Sequence, residues 1–317
     1  MSLEHLKGAK ITHMAKIIVT SGTRFTDLDA LASAVAYREI PPEPPLVVIP
    51  GPLNQSVSRE IRRWPLNFET NINGDNYDFV IVDVSELEAM PPFVRQHPDR
   101  VVEIYDHHFG FEEFWRKKLG ERAKIEEVGA CATLIWEELK RRRINQGNGR
   151  MTTLAANLLY TAIISNSLNL YSPLTTDRDR KVLEELKPFT NLPQNWISQY
   201  YLDLEREIYL KPEVVIRNDT KVQNIKGIQC AFCQLELWNS RDFLREHSNR
   251  IEAVLREYST EAWLFNSPCL SEGRNYLYTK NEILKNLLRR VMTITFEGGI
   301  GVTNKLWLRK EILRLIQ

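Results

Sequence analysis

The chain has 317 residues, enough for two domains, and its 42 Lys and Arg stand against 41 Asp and Glu for a net charge of +1. That balance gives no general affinity for polyanions, so cations matter only where they are local. Hydrophobic content of 43% and charged content of 26% are those of a globular protein, and no apolar run reaches the roughly 18 residues that a membrane-spanning helix needs.

Residues 1–14 read as a leader. They lack the apolar core of a signal peptide, and Met14 could be a natural start. The β-branched run Lys16 to Thr20 is the first predicted strand, and it opens onto a polar turn holding Asp27 and Asp29 before a helical pattern over Ala30 to Glu39. On that turn Asp27 can act as a helix N-cap, as a metal ligand, or as both. Pro41, Pro42, Pro44 and Pro45 then make a stiff connector.

A second strand, Phe79 to Val82, stops at Asp83, and a third, Val101 to Ile104, runs into Tyr105-Asp106-His107-His108. Carboxylates and imidazoles delivered by separate strand ends suit a hard or borderline cation, Mn²⁺ or Mg²⁺, and in an open α/β sheet ligands gather at those ends. The plain alternative for the histidine pair is a solvated loop. Helical patterns follow at Thr133 to Arg143 and Thr152 to Ile164. The cationic run Lys140 to Arg143 ends the first of these, where solvated charge beside the helix dipole is the default reading.

The charged stretch 205–215 reads as a linker between a domain at 15–204 and a smaller α/β domain at 216–317. Strand-like runs in the latter are Ile228 to Leu235, Trp263 to Phe265 and Tyr276 to Tyr278, with helices at Arg241 to Tyr258 and Asn281 to Arg290. Cys230 and Cys233 form a CxxC inside a strand, so their side chains face opposite ways and cannot share a metal. Cys131 and Cys269 read as small packed residues, and the cysteine usage fits a reducing cytoplasm. Gly298-Gly299-Ile300-Gly301 is either a tight turn or a phosphate contact, the turn being preferred. No P-loop pattern occurs.

These pieces resemble, in order, the DHH phosphoesterase family, in the branch that holds manganese-dependent family II inorganic pyrophosphatases and exopolyphosphatases. The resemblance rests on Thr26-Asp27-Leu28-Asp29-Ala30, Ile81-Val82-Asp83, Asp106-His107-His108, the small-residue segment Val128 to Thr133, Ala162 to Leu168 with Ser172 to Thr176, and Arg309-Lys310. It implies a DHH domain with a helix-flanked parallel sheet, and a DHH-associated α/β domain. It also implies roles. Asp27 would bind a first metal, Asp29, His107 and the residue at Asn166 a second, and Asp83 would bridge them. His108 would act at the substrate or the leaving oxygen, water would be activated near Asp83, and Lys221, Arg309 and Lys310 would hold the phosphates, guanidinium giving a bidentate grip.

Two positions depart from the family pattern. Thr23 stands where a histidine ligand is expected, and Asn166 where an aspartate is expected. The first removes an imidazole and the second a negative charge, which favours oxygen-preferring Mg²⁺ over softer ions. Arg24 is an ordinary solvent-facing residue, or a built-in cation beside Asp27. The implied function is hydrolysis of pyrophosphate in the interdomain cleft, with Mn²⁺ or Mg²⁺ as cofactor. The alternatives are an exopolyphosphatase, and a phosphate- or nucleotide-binding pseudoenzyme. A GGGH-like segment is absent, so no nucleic acid is expected as partner. No membrane partner is expected either, and a homodimer stays open.

Overall fold

The computed structural model describes residues 15–74, 76–144 and 151–316. The leader expected at 1–14 lies outside these residues.

The first half alternates strand and helix. In chain order it contains β1 (Lys16–Thr20), α1 (Leu28–Tyr37), β2 (Leu46–Val48), β3 (Tyr77–Val82), α2 (Pro92–Arg95), β4 (Val101–Asp106), α3 (Glu112–Leu119) and β5 (Ala123–Ile125). The helices α4 (Cys131–Leu139), α5 (Thr153–Asn166), α6 (Asp177–Leu186), α7 (Trp196–Leu210) and α8 (Pro212–Asp219) follow. Because successive strand residues face opposite sides, Val19, Val80, Val82 and Tyr105 pack with α1, α4 and α5, while Ile18, Phe79, Ile81 and Ile104 pack on the other face with α2 and α3. Both faces are buried, which is why these strands read as unbroken apolar runs.

All pairings in this sheet are parallel and the strand order is β2-β1-β3-β4-β5. The order reverses between β1 and β3. Crossovers from those two strands therefore leave in opposite directions and open a crevice at their carboxyl ends, the usual ligand position in such sheets. Asp27 follows β1 and Asp83 follows β3, so topology alone carries both acids to that crevice.

The second sheet, in the order β10-β11-β9-β8-β7-β6, is built from β6 (Lys221–Ile225), β7 (Ile228–Gln234), β8 (Ala262–Cys269), β9 (Arg274–Tyr278), β10 (Ile294–Glu297) and β11 (Ile300–Thr303). Only β7 and β8 pair in parallel, across the helix α9 (Ser240–Arg256). Helices α8 and α9 cover one face and α10 (Glu282–Val291) with α11 (Arg309–Ile316) the other. Cys233 lies in the first of these cores and Cys230 in the second, as the strand periodicity requires. Gly298 and Gly299 form the two-residue turn between β10 and β11, Gly298 at φ 60°. A Cβ on Gly299 would sit 2.7 Å from the Tyr278 ring. The glycines thus serve the turn.

The stretch 205–215 is helical, closing α7 and opening α8 with only Lys211 between them. One expectation changes. Arg142 is not a solvated charge: it pairs with Glu138 and, at 2.8 Å, with Glu103. The buried Glu138 carboxylate also takes Lys124 at 2.7 Å and Arg141 at 2.5 Å. A fully buried carboxylate needs such partners, and it recruits them from the end of its own helix. Among the described residues no helix is long and apolar enough to cross a membrane.

Candidate active site

Asp27 caps α1, its Oδ1 accepting from the Ala30 amide at 2.9 Å, which leaves its second oxygen outside the cap. Asp29, in the first turn of α1, is buried, and its two oxygens accept from the Cys131 and Ala132 amides at 2.8 Å each. Those amides open α4, where backbone N–H groups favour an anion. The small residues Gly129 to Ala132 allow that close approach, which is the physical content of the segment noted in the sequence.

Asp83 sits just beyond β3 in the left-handed region, φ 59°. Its amide donates to the Tyr105 carbonyl at 2.8 Å, so the strand pairing continues one residue while the side chain turns into the crevice. Asp tolerates this conformation better than most residues. The carboxylate is 5% exposed, and its Oδ1 is buried without a hydrogen-bond donor. Burial, with Asp27 and then Asp29 nearby, pushes its carboxyl well above the ordinary range. Burial likewise pushes Asp29 up to about 6, against the lowering effect of His107.

His107 Nδ1 lies 3.1 Å from the Val128 carbonyl, which can only accept. The proton therefore sits on Nδ1 and the Nε2 lone pair is directed into the crevice, the orientation that metal-ligating histidines adopt. Nε2 is 3.4 Å from Asp83 Oδ1 and 3.7 Å from Asp29 Oδ2. Ligand atoms of Asp83, His107 and His108 all fall within 4.8 Å of one another. An orphaned carboxylate oxygen facing an imidazole lone pair is a poor arrangement by itself and a good one around a divalent cation, so these residues fit such an ion.

His108 is held differently. Its Nδ1 is 2.8 Å from the buried Asp106 Oδ1, and its ring stays 64% exposed. The hydrogen bond to Asp106 raises its pKa, with burial opposing. Asp106 was not singled out as a functional residue in the sequence; its place directly before two histidines was the available signal. Thr23, by contrast, gives its hydroxyl to the Ala89 carbonyl at 3.4 Å. Arg24 is exposed, its guanidinium 5.8 Å from the Phe25 ring centroid, the solvent-facing alternative.

Asn166 ends α5 beside the same group, but it presents nitrogen. Its Nδ2 donates to Asp29 Oδ2 and to the Gly129 carbonyl, both at 3.0 Å, and lies 3.3 Å from His107 Nε2.

Between the two sheets lies a cleft of about 500 Å³ with Asp27, Asp29 and Asn166 on one wall and Asn218, Asp219 and Glu236 on the other. Among the described residues its lining includes five carboxylates, with Glu205 the fifth, and no Lys, Arg or His. The walls meet where Tyr201 stacks on Trp238, centroids 5.5 Å apart, and where Asn169 donates to the Leu270 carbonyl at 3.0 Å. Arg309 stands behind Asp219, paired with its carboxylate at 2.8 Å and donating to its carbonyl at 2.6 Å. Lys221 and Lys310 are exposed. Arg309 and Lys221 thus lie near Asp219, at the cleft's second wall but outside its lining, and Lys310 follows Arg309 in the chain. The acidity of that wall is the feature the sequence did not reveal, because Glu205, Asp219 and Glu236 come from separate elements.

A two-domain α/β fold with a candidate divalent-metal centre at the switch point of a parallel sheet describes this molecule. No family model matches the chain. It is 30% identical over 203 residues to a probable manganese-dependent inorganic pyrophosphatase of Clostridium acetobutylicum, a stretch that is 59% of this chain and 60% of that protein, so it spans less than two thirds of that relative's length. A protein of the same name from Exiguobacterium sp. is 26% identical over 313 residues, 93% of this chain and 95% of its own. Among solved structures, a putative family II inorganic pyrophosphatase of Methanococcus jannaschii superposes with a TM-score of 0.58 at 19% identity, covering 95% of this chain and 99% of that one, a likeness of fold. By sequence the chain is thus similar to proteins named manganese-dependent inorganic pyrophosphatases, and by fold to a putative family II inorganic pyrophosphatase.

Proposed function

We propose that the protein is a metal-dependent phosphohydrolase that cleaves the phosphoric anhydride of pyrophosphate in the interdomain cleft. The observation that carries this reading is the convergence of the donor-free Asp83 Oδ1 with the His107 Nε2 lone pair at 3.4 Å. Asp83 and His107, with Asp27 alongside, would hold Mn²⁺ or Mg²⁺. A bound ion would supply Lewis acidity toward phosphoryl oxygen and lower the pKa of water at the attacking position.

The chain's own groups provide the rest. Asp106 fixes the His108 ring through Nδ1 and favours its protonated form, in which Nε2 carries a proton that it could deliver to the leaving oxygen. Lys221, Arg309 and Lys310 would bind the far phosphate when the walls approach, which brings cations to a cleft otherwise lined by carboxylates. Arg309 would then share its guanidinium between Asp219 and the substrate. Exclusion of water between the walls would strengthen each of these contacts.

The Thr23 hydroxyl turned to the Ala89 carbonyl and the Asn166 amide presenting nitrogen favour a second reading, a phosphate- or nucleotide-binding pseudoenzyme that no longer turns over. The test is phosphate release from pyrophosphate by the full chain, after chelation and again with Mn²⁺ or Mg²⁺ restored. Metal-dependent release is expected. Metal-bound protein that binds pyrophosphate without releasing phosphate overturns the hydrolase and supports the second reading, and release only from longer polyphosphate moves the substrate to that class.

A further inference from the structure

We propose that this centre takes one divalent ion per chain, because Asn166 closes the second position by hydrogen bonding and offers it no ligand atom. The inference rests on the metal centre of the proposed function. It concerns how many ions that centre holds.

The orientation of the Asn166 amide follows from its neighbours. The Gly129 carbonyl can only accept, and the Asp29 carboxylate oxygen accepts as well, so both demand the N–H₂ end at 3.0 Å. Turning the amide to aim Oδ1 at a cation would set that oxygen against both acceptors and lose two hydrogen bonds. The side chain at this position is therefore a donor, and a donor cannot ligate a cation.

The Asp29 oxygen that faces His107 is correspondingly spent: Oδ2 takes both the Cys131 amide and the Asn166 amide, while Oδ1 takes the Ala132 amide. An ion on Oδ2 would have to displace hydrogen bonds already made in a buried site. Asp83 Oδ1 is in the opposite condition, buried with no donor and next to the His107 lone pair. Asp27 adds an oxygen not used in its cap. One ion on Asp83 and His107, with Asp27 alongside, answers the unmet acceptors, while the Asp29, Asn166 and Gly129 set is complete without one.

The substitution Asn166→Asp separates this from a purely structural role for Asn166. A carboxylate there would face Asp29 and the Gly129 carbonyl with no donor, an arrangement relieved only by a second cation. Mn²⁺ titration of the full chain by calorimetry, with electron paramagnetic resonance on the loaded protein, reads the count directly. The parent is expected to bind one ion with the spectrum of an isolated Mn²⁺. Asn166→Asp is expected to be less stable than the parent without metal, to bind two ions, and to show the spectrum of a coupled pair.

Asn166→Ala, which removes the donor without adding a ligand, is expected to keep one ion. Two ions in the parent, two in Asn166→Ala, or one in Asn166→Asp each overturn the proposal. If Asn166→Asp folds only with Mn²⁺ present, the count is taken on protein refolded in Mn²⁺. Two ions in the parent together with pyrophosphate hydrolysis would refute the count and leave the function standing; one ion without hydrolysis would do the reverse. A parent that binds none refutes both.

Discussion

Replacing Asp83 with Asn should change stability in opposite directions with and without metal. Its carboxylate is buried, lacks a donor for Oδ1, and is crowded by Asp27 and Asp29, so the metal-free fold holds an ill-compensated negative charge. Asn keeps the shape and tolerates φ 59°, whereas Ala there would add a backbone penalty of about 1–2 kcal/mol and obscure the result. The metal-free Asp83→Asn protein should therefore be more stable than the parent at neutral pH. A carboxyl whose folded pKa lies above its ordinary 3.8 binds more protons folded than unfolded, so its contribution to stability falls as pH rises above about 4, and Asn should remove that fall.

With Mn²⁺ the order reverses. At a concentration 100 times Kd the parent gains about 2.7 kcal/mol, which for domains of this size is a rise in Tm of roughly 5–10 °C. Losing a charged ligand should weaken affinity by at least the 10- to 100-fold typical of outer-shell losses. A 100-fold loss leaves about 0.4 kcal/mol at the same Mn²⁺ concentration. Thermal melts of both proteins with chelator and with Mn²⁺ provide the assay, and phosphate release should disappear in parallel. A variant that gains as much Tm from Mn²⁺ as the parent, or that is less stable than the parent without metal, would refute the assignment of Asp83 as the central ligand.

Arg309→Ala should leave Mn²⁺ binding unchanged and weaken pyrophosphate binding by about 1.5–3 kcal/mol, with Arg309→Lys recovering only part because the planar fork is gone; calorimetry with a non-hydrolysable imido analogue reads both. The double substitution Thr23→His and Asn166→Asp should lower the Mn²⁺ concentration for half-maximal phosphate release, and an unchanged metal requirement would mean the pocket uses other ligands. Burial pushes the Glu138 carboxyl up, but Arg141, Lys124 and Arg142 more than offset this and bring it down to about 2 from an ordinary 4.5. Its stabilising contribution is then complete above about 4.5 and lost as pH falls toward 2, so Glu138→Gln should be less stable than the parent at pH 7 and the gap should narrow through that window; equal urea midpoints at pH 7 would contradict it.

Much of the first domain was legible in the sequence because its strands are buried on both faces. Lys16 to Thr20, Phe79 to Val82 and Val101 to Ile104 could be read as strands from apolar, β-branched runs, and each acid or histidine of interest stood at the end of one. The opposite facing of Cys230 and Cys233 followed from strand period alone. That the segment 205–215 is helical was not legible, because charge and helix coexist where helices join domains.

Only tertiary structure decided the rest. Sequence placed an amide at position 166, but whether it offers oxygen or nitrogen depends on Gly129 and Asp29, which are 37 and 137 residues away along the chain. Whether Arg309 is free or paired depends on Asp219, and the acidic wall of the cleft depends on three elements meeting. Residue type limits what a side chain can donate or accept. Which of those capacities is already used is set by neighbours that only folding brings within 3 Å or so, and that determines the chemistry left over for a metal or a substrate.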